Sequence, residues 1–139
     1  MKSLVTLLLF VFTSVVSYSQ STDTATITAK VANVTNNNGK VIFGLHTAET
    51  FLKSKGVQTV IATIENGVAK ASFENVAPGT YAILVLHDEN ENMKMDYTVN
   101  GIPKESYGCS NNPMPFGPPQ FNGSKFEVSG EDKTLEIRF

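Results

Sequence analysis

The chain has 139 residues, with 11 lysines and arginines against 13 aspartates and glutamates, one cysteine and no tryptophan. A net charge of -2 supplies no basic surface for phosphates, which excludes nucleic acid as the partner class. A single cysteine rules out an internal disulfide, so stability must come from a packed core, with or without a bound ion.

The opening stretch MKSLVTLLLFVFTSVVSYSQ sets one positive charge at Lys2 before an uncharged apolar run and ends in small and polar residues. That layout predicts a secretory signal peptide over residues 1–19, with Gln20 as the mature N-terminus and a periplasmic or extracellular location. Its apolar part is shorter than the roughly 20 residues a membrane span needs, and no second such stretch follows, so no membrane span is expected. Residues 20–139 then form a single domain of 120 residues, with a charge of -3 once Lys2 is gone (10 minus 13).

Alternation of apolar and polar residues marks the next segments as strands. In TATITAKVANV, Ile27, Ala29 and Val31 alternate with Thr26, Thr28 and Lys30. The NNNG at residues 36–39 followed by KVIFGL reads as a hairpin. TAETFLKSKG, residues 47–56, has a threonine cap, Phe51 and Leu52 on one side and a glycine stop, and predicts one or two helical turns. VQTVIATIE and VAKASFENV, joined by ENG at residues 65–67, read as a second hairpin. After a turn at Pro78 and Gly79, residues 80–86 are so apolar that they predict a central strand.

Residues 89–123 contain five of the six prolines and predict a long loop. A loop of that length in a small domain is usually functional or pinned by an ion. SKFEVSG and KTLEIRF then supply two closing strands. The pattern as a whole predicts an all-β fold: an antiparallel β-sandwich of about seven strands, one short helix and a long loop before the last two strands.

PGTYAILVLHDEN resembles the core strand of transthyretin-like and carboxypeptidase-regulatory-like sandwiches. The run HDENENMKMD…GIPKESYGCSNN…FGPPQF resembles the bacterial family called domain of unknown function 2141, over essentially the whole mature chain. The resemblance implies glycine where Glu91 and Met93 stand, and an aromatic residue where Cys109 stands. It therefore implies that Cys109 is not a thiol on which the family depends for catalysis.

Residues 88–96 carry the clearest chemical pattern. Asp88, Asn90, Asn92, Lys94 and Asp96 occupy alternate positions of a calcium-loop spacing, with side-chain oxygens at four and a backbone carbonyl at Lys94. It is not an EF-hand, because Met93 replaces the turn glycine and Val99 stands at the twelfth position. Two carboxylates predict weak calcium binding, with a dissociation constant of roughly 10⁻⁴ to 10⁻³ M. The competing reading is a polar turn whose Asp and Asn side chains bond their own backbone.

In GIPKESYGCSNNPMPFGPPQF, the aromatic and amide residues Tyr107, Asn111, Asn112 and Phe116, together with His87, are candidates for contact with a protein, peptide or glycan ligand. The competing reading packs the aromatics over one end of the sandwich. A catalytic alternative pairs Cys109 with His46 or His87, or uses His87 beside Asp88 as an oriented base. A copper site drawn from His46, His87, Met93, Met95, Cys109 and Met114 lacks a histidine between Cys109 and Met114, where the usual ligand loop has one. The sequence thus points to a secreted, non-enzymatic binding or surface-associated module with a calcium-supported loop. The alternative is a small periplasmic enzyme or metal carrier built on His87, Asp88 and Cys109.

Overall fold

Eight strands make up the fold in a computed structural model that describes residues 23–113 and 116–139. The signal peptide expected at residues 1–19 lies outside the described residues, as does Met114 of the copper set. In chain order the strands are β1 (Ala25–Val31), β2 (Lys40–His46), β3 (Gln58–Ala62), β4 (Ala69–Val76), β5 (Gly79–Asp88), β6 (Tyr107–Cys109), β7 (Phe126–Val128) and β8 (Lys133–Ile137). One helix of four residues, α1 (Phe121–Ser124), lies between β6 and β7.

Two sheets form the sandwich. The smaller has the order β4-β1-β8; the larger has the order β3-β2-β5-β6, with β7 also paired to β5. The all-β architecture and the long loop before the last two strands match the sequence reading, as does the presence of one short helix, although it lies at Phe121–Ser124 and not in residues 47–56. β1 and β8 run parallel, with Ile27 opposite Lys133 and Val31 opposite Ile137, whereas the other strand pairs described are antiparallel. Among the described residues no helix is long and apolar enough to cross a membrane.

Period-two side-chain direction builds the core. β1 contributes Ile27, Ala29 and Val31, β4 contributes Ala69, Ala71 and Phe73, and these face Val41, Phe43 and Leu45 of β2 and Ile83 and Val85 of β5. Phe43, Phe73, Leu45 and Ile27 are fully buried. Each such side chain contributes roughly 1.5 to 3 kcal/mol of burial energy.

Both predicted hairpins are corrected by the topology. The turn at Asn66 and Gly67 forms as expected: both residues have positive φ (52° and 75°), and Glu65 and Val68 exchange backbone hydrogen bonds of 2.9 and 3.0 Å. Yet β3 and β4 belong to different sheets, as do β1 and β2 on either side of residues 36–39. The physical reason is that β1 and β2 each carry a strongly apolar face. Lying face to face across the sandwich buries both, which a side-by-side hairpin would not do. Gly39, at φ 66°, permits the crossing because a Cβ there would collide with the carbonyl of Asp88.

The helical segment is also corrected. Residues 47–54 make two separate turns, Phe51 N–H to Thr47 O at 3.0 Å and Ser54 N–H to Thr50 O at 3.1 Å, and Leu52 between them adopts φ 57°. That left-handed residue stops a helix from propagating and turns Leu52 outward while Phe51 is buried. The segment instead joins β2 to β3, a pair that does form an antiparallel hairpin.

Candidate functional site

β5 ends at Asp88, and the chain leaves the sheet for residues 89–106 before returning as β6. His87 and Asp88 point to opposite sides of the strand. His87 is fully buried on the inner side, where its Nε2 lies 2.8 Å from the Asn38 carbonyl and its ring stacks on Phe139 with centroids 6.2 Å apart. Its Nδ1 has no hydrogen-bond partner among the described residues and lies 3.9 Å from Glu89 Oε1. The ring of His87, expected from sequence to contact a ligand, is enclosed in the interior.

The Asp88 carboxylate is buried and accepts two backbone bonds, from Asn92 N–H at 3.1 Å and Met93 N–H at 2.8 Å. Asn90 Oδ1 accepts from Asn92 N–H at 3.2 Å, and Asn92 Oδ1 accepts from Lys94 N–H at 3.0 Å. The two carboxamide nitrogens converge on Asp96 Oδ2, at 2.6 Å from Asn90 and 2.9 Å from Asn92. Asp88, Asn90, Asn92 and Asp96 are thus drawn into one self-bonded loop. A calcium ion within it would require both carboxamides to turn their oxygens inward. Among the described residues, no three His, Cys, Asp or Glu side chains stand together as a metal set.

Glu91 and Met93 both adopt positive φ, 59° and 66°. These are the two positions at which the resemblance implied glycine, and left-handed backbone explains that preference, since it costs a side-chain-bearing residue about 1 to 2 kcal/mol. The far end of the excursion closes on its start through Glu105. This buried carboxylate accepts the N–H of Glu89 at 3.1 Å and of Asp96 at 3.2 Å.

The aromatic and amide candidates separate into two groups. Asn111 and Asn112, both with positive φ, spend their side chains on backbone. Asn111 Nδ2 donates to Lys125 O at 2.8 Å, while Asn112 Nδ2 donates to Glu136 O at 2.9 Å and Asn112 Oδ1 accepts from Arg138 N–H at 2.8 Å. They pin the chain after β6 to β7 and β8. Phe116 is fully exposed, and Tyr107 is partly exposed on the outer face of the larger sheet.

That outer face carries a feature the sequence reading missed. The register aligns Ile61, Ile42, Leu86 and Tyr107 in one cross-strand row and Thr59, Gly44, Leu84 and Cys109 in the next. Near His46 the face is covered: Phe51 meets the His46 ring edge-on at 6.0 Å and Phe121 at 5.7 Å. Gly44 leaves room for the imidazole, since a Cβ there would lie 2.6 Å from His46 Nε2. Burial holds the His46 pKa below its ordinary value, partly opposed by the bond to Thr50.

Beyond this cover the face opens into a cleft of about 720 Å³. Leu84, Leu86 and Tyr107 form its floor, while Leu52, then Met95, Tyr97 and Gly101 to Pro103, and Gly117, Pro118 and Pro119 form its walls. The available signal was the even-numbered half of the AILVL run: an outward row of leucines implies something that covers or occupies it. Cys109 sits opposite Leu84 on this outer face, whereas His87 lies on the inner one. The structure therefore does not bring His87 and Cys109 together, one of the two pairings of the catalytic alternative, whereas His46, the other partner, shares the outer face with Cys109.

Among solved structures, the chain is similar at a distance to a pilus-presented adhesin, Spy0125 (Cpa), seen in two data sets of one crystal form. The first match has 14% identity and a TM-score of 0.28, covering 84% of this chain and 27% of that one. The second has 12% identity and a TM-score of 0.27, covering 83% and 26%. The chain thus spans about a quarter of the adhesin's length, and likeness at these TM-scores carries no argument. No curated protein matches the chain. Residues 29–136 do match the family described as "Uncharacterized protein conserved in bacteria (DUF2141)", and the chain belongs to that family.

Proposed function

We propose that the chain is an exported, non-enzymatic binding module whose ligand site is the apolar cleft on the outer face of the larger sheet. The observation that carries this reading is the cleft itself: at about 720 Å³ it has the size of small-molecule and peptide sites, and its lining is chiefly aliphatic, aromatic and proline. Of the protein, peptide and glycan ligands expected from sequence, an apolar peptide segment suits such a lining better than a glycan, whose hydroxyls would lose water without gaining partners. Export rests on the pattern of residues 1–19, and N-terminal sequencing of the exported protein should begin at Gln20, not Met1.

Amide-resonance mapping of the labelled mature protein with apolar peptides tests the site. Shifts should gather at Leu84, Leu86, Tyr107 and Ile102, and shifts confined to other surfaces would overturn the cleft as the site.

A second element of the reading is weak calcium binding by residues 88–96, supported by side-chain oxygens at four alternate positions and requiring the Asn90 and Asn92 carboxamides, whose nitrogens now bond Asp96, to turn over. For a site near 10⁻³ M, about 10 mM calcium would add roughly 1.4 kcal/mol of stability. Calcium should therefore raise the melting temperature of the wild type by a few degrees, and Asp96→Ala should abolish the shift. A wild-type melting temperature indifferent to both calcium and chelator would leave the loop as a polar turn.

A further inference from the structure

Of the strand edges that the described residues form, those of β4, β6, β7 and β8 are blunted. Along β8, the Asn112 carboxamide bonds Glu136 O at 2.9 Å and Arg138 N–H at 2.8 Å. Against β6 lies the Arg138 carbonyl, so close that a Cβ on Gly108 would strike it. β7 is three residues long, and Asn111 holds the Lys125 carbonyl just before it at 2.8 Å. β4 carries exposed charges at Lys70 and Glu74, a bulge at Glu74 and Asn75 where its register with β1 shifts, and a bond from Gln58 Nε2 to Glu74 O at 2.9 Å. Short strands, charges, bulges and covering groups all keep an edge from pairing with another chain.

β3 has none of these devices. It pairs with β2 on one side, and among the described residues no backbone bond reaches its other side. Residues 57–64, VQTVIATI, contain no charge, proline or glycine, and six of the eight are β-branched, so the segment favours further strand pairing. Val57 and Ile61 stay about half exposed, at 51% and 47%. Nor does β4 close over this edge: a groove of about 660 Å³ separates Ile61, Ala62 and Thr63 from Val68 and Lys70.

We propose that β3 pairs antiparallel with β3 of a second copy of this chain, about a twofold axis, to give one continuous sheet. Charge and symmetry select that occupant. Mature chains with a charge of -3 (10 minus 13) repel each other, and an uncharged strand lets them meet without setting like charges opposite. A strand edge also offers its antiparallel copy the same alternation of N–H and C=O that it presents, which is the isologous geometry of twofold dimers. Five paired residues a side are fewer than the roughly 20 to 30 of a standard interface, so the dimer should be weak, with a Kd between about 1 µM and 1 mM. Side chains of paired residues point the same way, so the two outer faces, each with its cleft, would share one side of the joined sheet. Two clefts so placed suit attachment to one ligand surface at two points, although the pairing does not depend on the cleft being the ligand site.

Sedimentation velocity of the mature protein from about 1 µM to 1 mM tests the pairing, with hydrogen exchange followed over the same range. The mass should rise from one chain toward two, and alternate amides within residues 58–62 should gain protection with concentration. Thr59→Lys/Ile61→Lys changes two exposed side chains and sets lysines of both copies against one another, so it should weaken the dimer at least about fivefold and leave the circular dichroism unchanged. About 1 M salt should restore part of that loss. If the double variant does not fold, Thr59→Lys alone serves, with a smaller loss.

A mass of one chain at every concentration overturns the proposal. A dimer that the lysine substitutions leave intact, with exchange slowed at Tyr97 and Ile102 of the cleft wall instead, overturns it in favour of pairing through the cleft face. Masses that climb past two chains overturn the closed pair in favour of open aggregation.

Discussion

The two faces of the larger sheet are built from the same β5 strand and have opposite fates. On the inner face Ile83, Val85 and His87 are sealed against the smaller sheet, and even the polar imidazole is fully enclosed. On the outer face Leu84 and Leu86, equally apolar, are only half buried. One end of that face is closed by Phe51 and Phe121, and the other is left as an open cleft. The inner face shows what a strand does when stability is the only demand. The outer face retains apolar surface that a more compact arrangement would cover, and exposed apolar concavities of this kind mark interaction sites.

Removing side chains from each face separates the two roles. Phe43→Ala, on the inner face, should cost about 3 to 5 kcal/mol in urea unfolding, because it leaves a cavity between the sheets. A loss below about 1.5 kcal/mol would mean that the inner face is not the main source of stability. Asn112→Ala removes two bonds that tie the chain after β6 to β8 and should cost about 1 to 2 kcal/mol. Its local signature is faster hydrogen exchange at the Arg138 amide, and unchanged protection there would contradict the role of that side chain.

The covered end of the outer face should report on pH. Burial lowers the His46 pKa in the folded protein, so the unfolded chain takes up its proton first as pH falls. The stability from neutral His46 is fully present above the unfolded value of 6.5 and drains away as pH drops below it. Melting temperatures between pH 5 and 8 should fall toward acid, and His46→Gln should flatten that slope. The smallest effect on stability is expected from Leu86→Ala in the open cleft, about 1 kcal/mol or less. A loss as large as that of Phe43→Ala would erase the distinction between the faces.

Strand positions and inward-facing residues were legible because burial imposes a period of two on each strand separately. Partner choice was not. Asn66 and Gly67 specify a tight reversal, and they make one, but no local residue states which sheet the next strand will join. The parallel pairing of β1 with β8 joins residues more than a hundred positions apart, beyond the reach of any local pattern. The acidic loop was legible from its alternate spacing because its bonds are local. Asn111 and Asn112 looked like binding groups since nothing near them in sequence reveals that β7 and β8 provide their partners. The cleft was hidden for a related reason: its walls come from Leu52, from residues near 100 and from the prolines near 118, and its floor lies inside a run that reads as uniformly apolar.

Glu105 closes the excursion that begins at Glu89 with a carboxylate clamp on two backbone amides, and the bridge between Tyr97 and Pro103 adds a second tie nearer the tip. Beyond both ties lies the turn bearing fully exposed Val99, isolated mechanically from the sheets. Length changes in that turn would pay only loop entropy, about 0.6 kcal/mol for each doubling. A foreign segment inserted beside Val99 would be carried on a neck already fastened at its base, which makes this turn a natural point for displaying or tagging the protein without disturbing its frame.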